Sequence, residues 1–112
     1  MPATDLVGNW SINGNGTPGS MTIFSAVDEG PVELRVSFSN LNREDRWNGT
    51  WSPSKRQLTL TRALPNNTSQ TYTGYLGDNA PGPLIFGGSF TETDAAGTRF
   101  GWYAQWQSWI IR

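Results

Sequence analysis

The stretch VELRVSFS, residues 32–39, alternates strictly between apolar and polar side chains. Val32, Leu34, Val36 and Phe38 fall on one face of an extended chain, because successive side chains of a strand point to opposite faces. Polar or charged residues take every position on the other face. This period of two is typical of an antiparallel strand that packs one face on a core and turns the other to solvent.

The same alternation continues on both sides of this stretch and predicts eight strands separated by turn residues. The expected spans are residues 6–12, 19–27, 31–39, 45–52, 56–63, 69–77, 83–92 and 97–108. The connections are short, so consecutive strands are expected to pair as hairpins. An open meander of this length would expose two unpaired edges, and closure removes them. We therefore predict one all-β domain over residues 1–112, an eight-stranded antiparallel up-and-down β-barrel.

Glycines inside the predicted strands support closure. Four strands carry a glycine between two large side chains on the same face: Leu6-Gly8-Trp10, Trp47-Gly49-Trp51, Tyr72-Gly74-Leu76 and Phe86-Gly88-Phe90. Glycine weakens a strand, so its presence indicates a local requirement such as a sharp bend or a close approach. We expect these glycines to face inward, where they make room for rings that arrive from across the lumen.

The composition removes several classes of function. The 112 residues include no histidine and no cysteine, and the formal net charge is −1. The commonest general base and the thiolate nucleophile are therefore missing, and so are the soft metal ligands. The basic surface that nucleic acids require is missing as well. We expect a protein that is not an enzyme, needs no cofactor or metal, and does not bind nucleic acid.

Two further expectations concern location. No apolar run approaches the roughly 20 residues that a membrane-spanning helix needs, so we expect no membrane partner. Residues 1–5 lack the basic and apolar regions of a signal peptide. A cytoplasmic location is the default expectation, and a secreted one applies if a signal peptide was removed.

Two features of the sequence match motifs of nucleotide binding and of acid–base catalysis, but each has a simpler structural interpretation. Residues 14–19, GNGTPG, match the glycine pattern of dinucleotide sites, but a strand follows where that motif needs a helix. We interpret them as a hairpin loop. The acidic pairs Asp28/Glu29, Glu44/Asp45 and Glu92/Asp94 lie at strand ends, where solvated charges are ordinary. Catalysis by paired carboxylates would need them to flank a cleft.

Aromatic side chains dominate the predicted interior. The rings expected to point inward are Trp10, Trp47, Trp51, Tyr72, Phe86, Phe90, Trp102 and Trp106. Eight-stranded barrels either fill their interior with side chains or keep a small ligand cavity. These rings therefore either fill the core or line a cup that is open at one end. Trp47, Tyr72 and Trp102 are the candidates for a ligand contact.

Four segments resemble the avidin and streptavidin family: residues 8–10 (GNW), 19–23 (GSMTI), 48–51 (NGTW) and 71–75 (TYTGY). The resemblance implies an eight-stranded barrel with a ligand site at its open end. By position it implies a pocket faced by Asn13, Ser20, Phe38, Asn40, Thr68 and Gln70. Phe38 stands where the family has tyrosine, residues 57–62 lack the family tryptophan, and residues 100–107 lack its aspartate. We therefore expect that biotin is not tightly bound.

Three functions remain open from the sequence. The leading hypothesis is a non-enzymatic binding protein that takes a small molecule at the open end of the barrel. The first alternative is a carbohydrate-binding lectin that uses exposed rings and Asn/Asp loops on a sugar. The second is a structural oligomeric module with a filled core.

The outer wall predicts self-association. If Trp102 and Trp106 point inward, alternation turns their neighbours on the last strand outward. In a closed meander these lie beside outward residues of the sixth and seventh strands. The expected interface residues are Tyr75, Ile85, Tyr103, Trp109 and Ile111. A contiguous apolar patch usually marks an interface, and Tyr and Trp are enriched there. We expect a homo-oligomer, either a dimer or a tetramer.

Overall fold

Eight antiparallel strands close into a barrel in the computed structural model, which confirms the predicted fold class. The structure describes residues 3–40, 44–64, 67–77, 84–93 and 97–109. The strands are β1 Gly8–Gly14, β2 Thr17–Ala26, β3 Gly30–Phe38, β4 Asp45–Ser52, β5 Gln57–Leu64, β6 Thr68–Leu76, β7 Ile85–Glu92 and β8 Phe100–Ser108. Each strand pairs with its sequence neighbours, and β1 pairs with β8 through contacts such as Ile12 with Ala104. The order is that of an up-and-down barrel.

The first strand begins at Gly8 rather than at residue 6, because a short helix precedes it. Ala3–Leu6 form a 3₁₀ helix of four residues. Leu6 is fully buried, and its carbonyl accepts a hydrogen bond of 2.9 Å from Nε1 of Trp10. This bond holds the helix across the barrel end instead of extending β1. No helix within the described ranges is long and apolar enough to cross a membrane.

The core is built from the inward face of every strand, as the alternation predicts. On β3, Val32, Leu34 and Val36 are almost completely buried. Four aromatic rings form a row across the barrel, from Trp47 through Tyr72 and Phe90 to Phe100. Its successive centroids are 4.6, 4.4 and 5.1 Å apart. The interior is therefore filled over most of its length.

The two ends of the barrel differ. At one end the 3₁₀ helix is tied to the β2–β3 turn, where the amide of Ala3 donates to Oδ1 of Asp28 at 3.0 Å. The next carboxylate, Glu29, accepts hydrogen bonds from Ser54 and Ser52 of the β4–β5 region. These bonds, first those from Ser54, hold the pKa of Glu29 below its usual range. We call this the closed end.

At the opposite end of the barrel, no helix among the described residues covers the interior. The β1–β2 hairpin turns there through Asn15 and Gly16, with φ angles of 50° and 87°. Two successive positive φ angles are the geometry of a type I′ hairpin. Oδ1 of Asn13 accepts a hydrogen bond of 2.9 Å from the amide of Gly16 and fixes the turn. This is the open end.

Candidate functional site

A cavity of about 280 Å³ lies at the open end, and we call it the cup. Side chains and backbone from six strands and two loops surround it. Its lining residues are Gly14, Asn15, Thr17, Phe38, Asn40, Arg62, Gln70, Tyr72, Phe90 and Glu92. The set combines three aromatic rings with a larger number of polar and charged groups, so the cup is more polar than most small-molecule sites.

The polar part of the cup is one cross-strand row. Arg62 of β5 pairs with Gln70 of β6, and Gln70 pairs with Glu92 of β7. Side chains that lie directly opposite on neighbouring strands are close enough to interact. The next inward row places Tyr72 beside Phe90 in the same way. Strand register thus brings a basic, an amide and an acidic side chain together above the ring stack.

Arg62 is a buried arginine whose charge is compensated. Its Nη2 and Nε donate to the same carboxylate oxygen of Asp45, at 2.9 and 3.2 Å. The guanidinium carbon also lies 5.7 Å from the ring centroids of both Phe38 and Trp47. A buried charge that keeps a paired counter-ion and hydrogen bonds avoids most of its desolvation penalty. Arg62 is therefore fixed in position by its ion pair with Asp45.

Gln70 links the basic and acidic sides of the row. Its Oε1 accepts hydrogen bonds from Nη1 of Arg62 at 3.1 Å and from the hydroxyl of Tyr72 at 2.8 Å. Its Nε2 donates to Oε1 of Glu92. Arg62 can only donate and a carboxylate can only accept, so this orientation of the amide is the one that satisfies both neighbours. Both sides of the amide are engaged.

Tyr72 keeps its proton at physiological pH. Burial raises the pKa of the Tyr72 phenol to about 12, against the opposing effect of Arg62. Desolvation disfavours the charged phenolate, which explains the direction. The hydroxyl therefore stays a donor to Gln70, and the remaining capacity of the oxygen is as an acceptor.

Four of the predicted ligand contacts meet in the cup: Phe38, Asn40, Gln70 and Tyr72. Two predicted rings lie just beside it. Trp47 packs against Tyr72, and Trp102 meets the same ring edge-on at 5.7 Å. Nε1 of Trp102 donates to the carbonyl of Thr73 at 3.1 Å, so its polar group is already used.

The other three predicted contacts lie elsewhere. Ser20 is exposed on β2 and pairs with Ser11 and Ser37, which places it on the outer wall. Asn13 also lies on the outer face, where it fixes the hairpin turn. Thr68 shares the inward face of β6 with Gln70 but lies outside the cup lining. The cup therefore contains part of the pocket that the resemblance implies.

Sequence reasoning missed Arg62 and Glu92 as site residues, although the signal was present. Arg62 continues the inward series Leu58 and Leu60 on β5, and Glu92 continues the inward series of β7 that ends at Phe90. A charged residue at an inward position at the end of a strand indicates a polar site at that end. The sequence alone favours an ordinary solvated charge at Glu92, because it is the last residue of its strand.

The predicted interface residues that the structure describes lie towards the outer surface. Tyr75, Gly87 and Tyr103 form one cross-strand row over β6, β7 and β8. The two tyrosines are 54% and 55% exposed, and Trp109 is 60% exposed. Ile85 is half-buried on β7. Ile111 lies outside the described residues.

Comparisons with known proteins give no match: no family model, no curated protein and no solved structure. What the cup can do follows from its own side chains. Its described lining offers ring surfaces, hydrogen-bond donors and acceptors, and the carboxylate of Glu92. That combination suits non-covalent binding of a small polar molecule with an apolar part.

Proposed function

We propose that this chain is a non-enzymatic binding protein that holds a small molecule in the cup. The observation that carries the proposal is the fixed polar row Arg62–Gln70–Glu92 inside a cavity at the open end. Groups whose positions are set before binding lose little freedom when a ligand arrives. A packed ring stack beneath them closes the cup from below.

Binding accounts for this geometry better than catalysis does. Arg62 is paired with Asp45, and the amide of Gln70 is engaged on both sides. Tyr72 is held as a neutral phenol, which is a weak nucleophile and a weak base. A general base must accept a proton near the working pH, and the raised pKa keeps Tyr72 out of that role.

A ligand in the mouth of the barrel is also what the avidin-type resemblance implies. Phe38, Asn40 and Gln70 support a ligand in that position, since all three line the cup. Asn13 and Ser20 lie on the outer wall and add no contacts there. The proposed ligand therefore differs from biotin, and the chemistry of the cup departs from that of the family.

A carbohydrate-binding lectin is the second candidate. The row Tyr75–Gly87–Tyr103 favours it, because two exposed rings flank a glycine with open space above it. An outer groove of about 400 Å³ begins at Tyr75 and is lined by the hydroxyl side chains of Thr71, Thr73, Ser89 and Thr91 and by Arg99. A structural module with a filled core is the third candidate function. The row of packed rings inside the barrel favours it.

The test is a fragment screen by ¹H–¹⁵N NMR on the labelled protein, with a library that includes amines, acids, neutral rings, simple sugars and biotin. We expect shifts in the backbone amide of Gly14 and in the side-chain amide of Gln70. Shifts confined to Gly87 and Gly101 on the outer wall would favour the lectin instead. If no fragment of the library binds, the structural module is the candidate function that remains.

A further inference from the structure

Two charged side chains belong to the described lining of the cup, and one of them has a counter-ion. Arg62 is paired with Asp45 at 2.9 Å, and both side chains are largely covered. Glu92 is half-buried, accepts the amide of Gln70, and forms no ion pair with a described residue. Together with Asp45, the described charged groups at the cup are two carboxylates and one guanidinium, so their formal sum is negative.

The directions of the hydrogen bonds in the row also favour a ligand that donates hydrogen bonds. Tyr72 gives its proton to Gln70, so its oxygen has acceptor capacity left. The amide of Gln70 gives a proton to Glu92, and a carboxylate has only acceptor sites to offer. The raised pKa of Tyr72 keeps this arrangement in place at neutral pH. A ligand that reaches the carboxylate of Glu92 must bring N–H or O–H donors.

The cup is small, and aromatic rings form part of a wall that is otherwise mainly polar. Its volume of about 280 Å³ corresponds to roughly nine water molecules at about 30 Å³ each. Phe38 and Phe90 approach Gly14 closely, since their nearest ring carbons lie 3.3 and 3.8 Å from the position a Cβ would take there. These rings suit a compact hydrocarbon or aromatic body beside the polar row.

We infer that the ligand of the cup is a small organic cation, a protonated primary amine on a compact apolar body, with its ammonium group donating to the carboxylate of Glu92. This inference rests on the proposed function. The guanidinium of Arg62 acts on Tyr72 and so works against a cation in the cup, but it is paired with Asp45 and lies over two rings, whereas the carboxylate of Glu92 has no cationic partner among the described residues. A charge-assisted hydrogen bond in a partly covered site is stronger than a neutral one.

The test compares three probes of similar size: benzylamine, benzyl alcohol and benzoate. Calorimetric or NMR titration of the intact protein at pH 7 gives the three affinities. We expect benzylamine to bind about tenfold or more tightly than benzyl alcohol, and benzoate to bind most weakly. Glu92→Gln should weaken benzylamine about 10- to 100-fold and leave benzyl alcohol nearly unchanged. Glu33→Gln, at an exposed carboxylate of β3, is the control and should change neither.

Equal affinities of the wild-type protein for benzylamine and benzyl alcohol would overturn the inference without any use of a variant. A folded Glu92→Gln protein with unchanged benzylamine affinity would also overturn it. In both cases shifts at Gly14 and Gln70 would leave the cup standing as a binding site. Failure of the whole fragment library to bind would instead remove the proposed function.

Discussion

The hydroxyl of Tyr72 donates a hydrogen bond of 2.8 Å to Oε1 of Gln70, and this contact sets the polarity of the cup. Gln70 occupies the middle of the row between Arg62 and Glu92. Because its oxygen takes two donors, its nitrogen must face the carboxylate. The Tyr72 hydroxyl thus helps to orient the Gln70 amide, and the carboxylate of Glu92 is left to accept a hydrogen bond from a ligand.

Replacing Tyr72 by phenylalanine should lower the free energy of unfolding by about 0.5–1.5 kcal/mol, the usual net value of one hydrogen bond. The loss stays moderate because Arg62 still bonds to Gln70. Urea denaturation measures it. Tyr103→Phe, at an exposed tyrosine, is the control and should leave stability unchanged. A Tyr72→Phe protein as stable as the wild type would show that the contact contributes nothing.

Stability should fall as the pH rises from about 10 to about 12. Burial raises the pKa of Tyr72 to about 12 from its ordinary value of 10.0. Between these values the unfolded chain has released the proton and the folded protein has kept it, so raising the pH favours unfolding. The stabilisation is complete below pH 10 and is lost as the pH passes through 12.

Urea midpoints at pH 9 and pH 11.5 check this prediction. The decrease between the two should be smaller for Tyr72→Phe than for the wild-type protein. Identical decreases would mean that Tyr72 titrates in the folded state as it does in the unfolded chain.

An added methyl group should destabilise the protein at Gly88 but not at the adjacent Gly87 on β7. A Cβ at Gly88 would collide with the carbonyl oxygen of Thr73, whereas a Cβ at Gly87 would meet nothing within 4 Å. Gly88→Ala should therefore lower the free energy of unfolding by about 1–3 kcal/mol, the range for overpacking. Gly87→Ala should change it by less than about 0.5 kcal/mol. The structure leaves Gly88 exposed at the border of the outer groove and not, as predicted, turned into the lumen. Equal melting temperatures for the two variants would therefore show that its close approach to Thr73 does not limit the side chain.

The strands were predictable because alternation depends on each segment alone. The series Val32, Leu34 and Val36 shows its buried face without any knowledge of its neighbours. The 3₁₀ helix was not predictable in this way. Leu6 fits an alternating series with Gly8 and Trp10, and only the long-range hydrogen bond from Ala3 to Asp28 shows that the chain turns over the barrel end.

Biotin should not form a sub-nanomolar complex. The chain lacks a tryptophan in residues 57–62 and an aspartate in residues 100–107, and Ser20 lies on the outer wall. Each polar group of a ligand that is buried without a partner costs about 1–3 kcal/mol. Calorimetry that gave more than about 12 kcal/mol of binding free energy would prove this expectation wrong.

Self-association should occur through the outer wall of β6 to β8. On these strands the outward positions from Thr71 to Tyr75, Ile85 to Thr91 and Gly101 to Gln105 carry no charge, and Arg99 just before β8 is a charged residue at the border of this wall. Uncharged surfaces rich in tyrosine are typical of interface cores. We expect sedimentation at micromolar concentration to give a dimer or a tetramer.

Tyr103→Glu should convert that assembly into a folded monomer. Thr50→Glu, an exposed position on the outer face of β4, is the matched control and should leave the assembly intact. A monomeric mass for the wild-type protein would remove the interface.

The candidate site was predictable only in part, because it depends on register. The avidin-type resemblance placed Phe38 and Gln70 in the pocket, and the inward aromatic series made Tyr72 a candidate. Their partners could not be placed in this way, since the pairing of Arg62 with Gln70 and of Gln70 with Glu92 is set by how neighbouring strands align. A shift of one residue would move every side chain to the other face.

A crystal structure of the protein with the tightest-binding fragment of the library tests the central claim most directly. The account predicts electron density for the fragment inside the cup, with a polar atom within hydrogen-bonding distance of Glu92 and its apolar part against Phe38 and Phe90. Density for the fragment between Tyr75 and Tyr103 on the outer wall, with solvent alone in the cup, would contradict it.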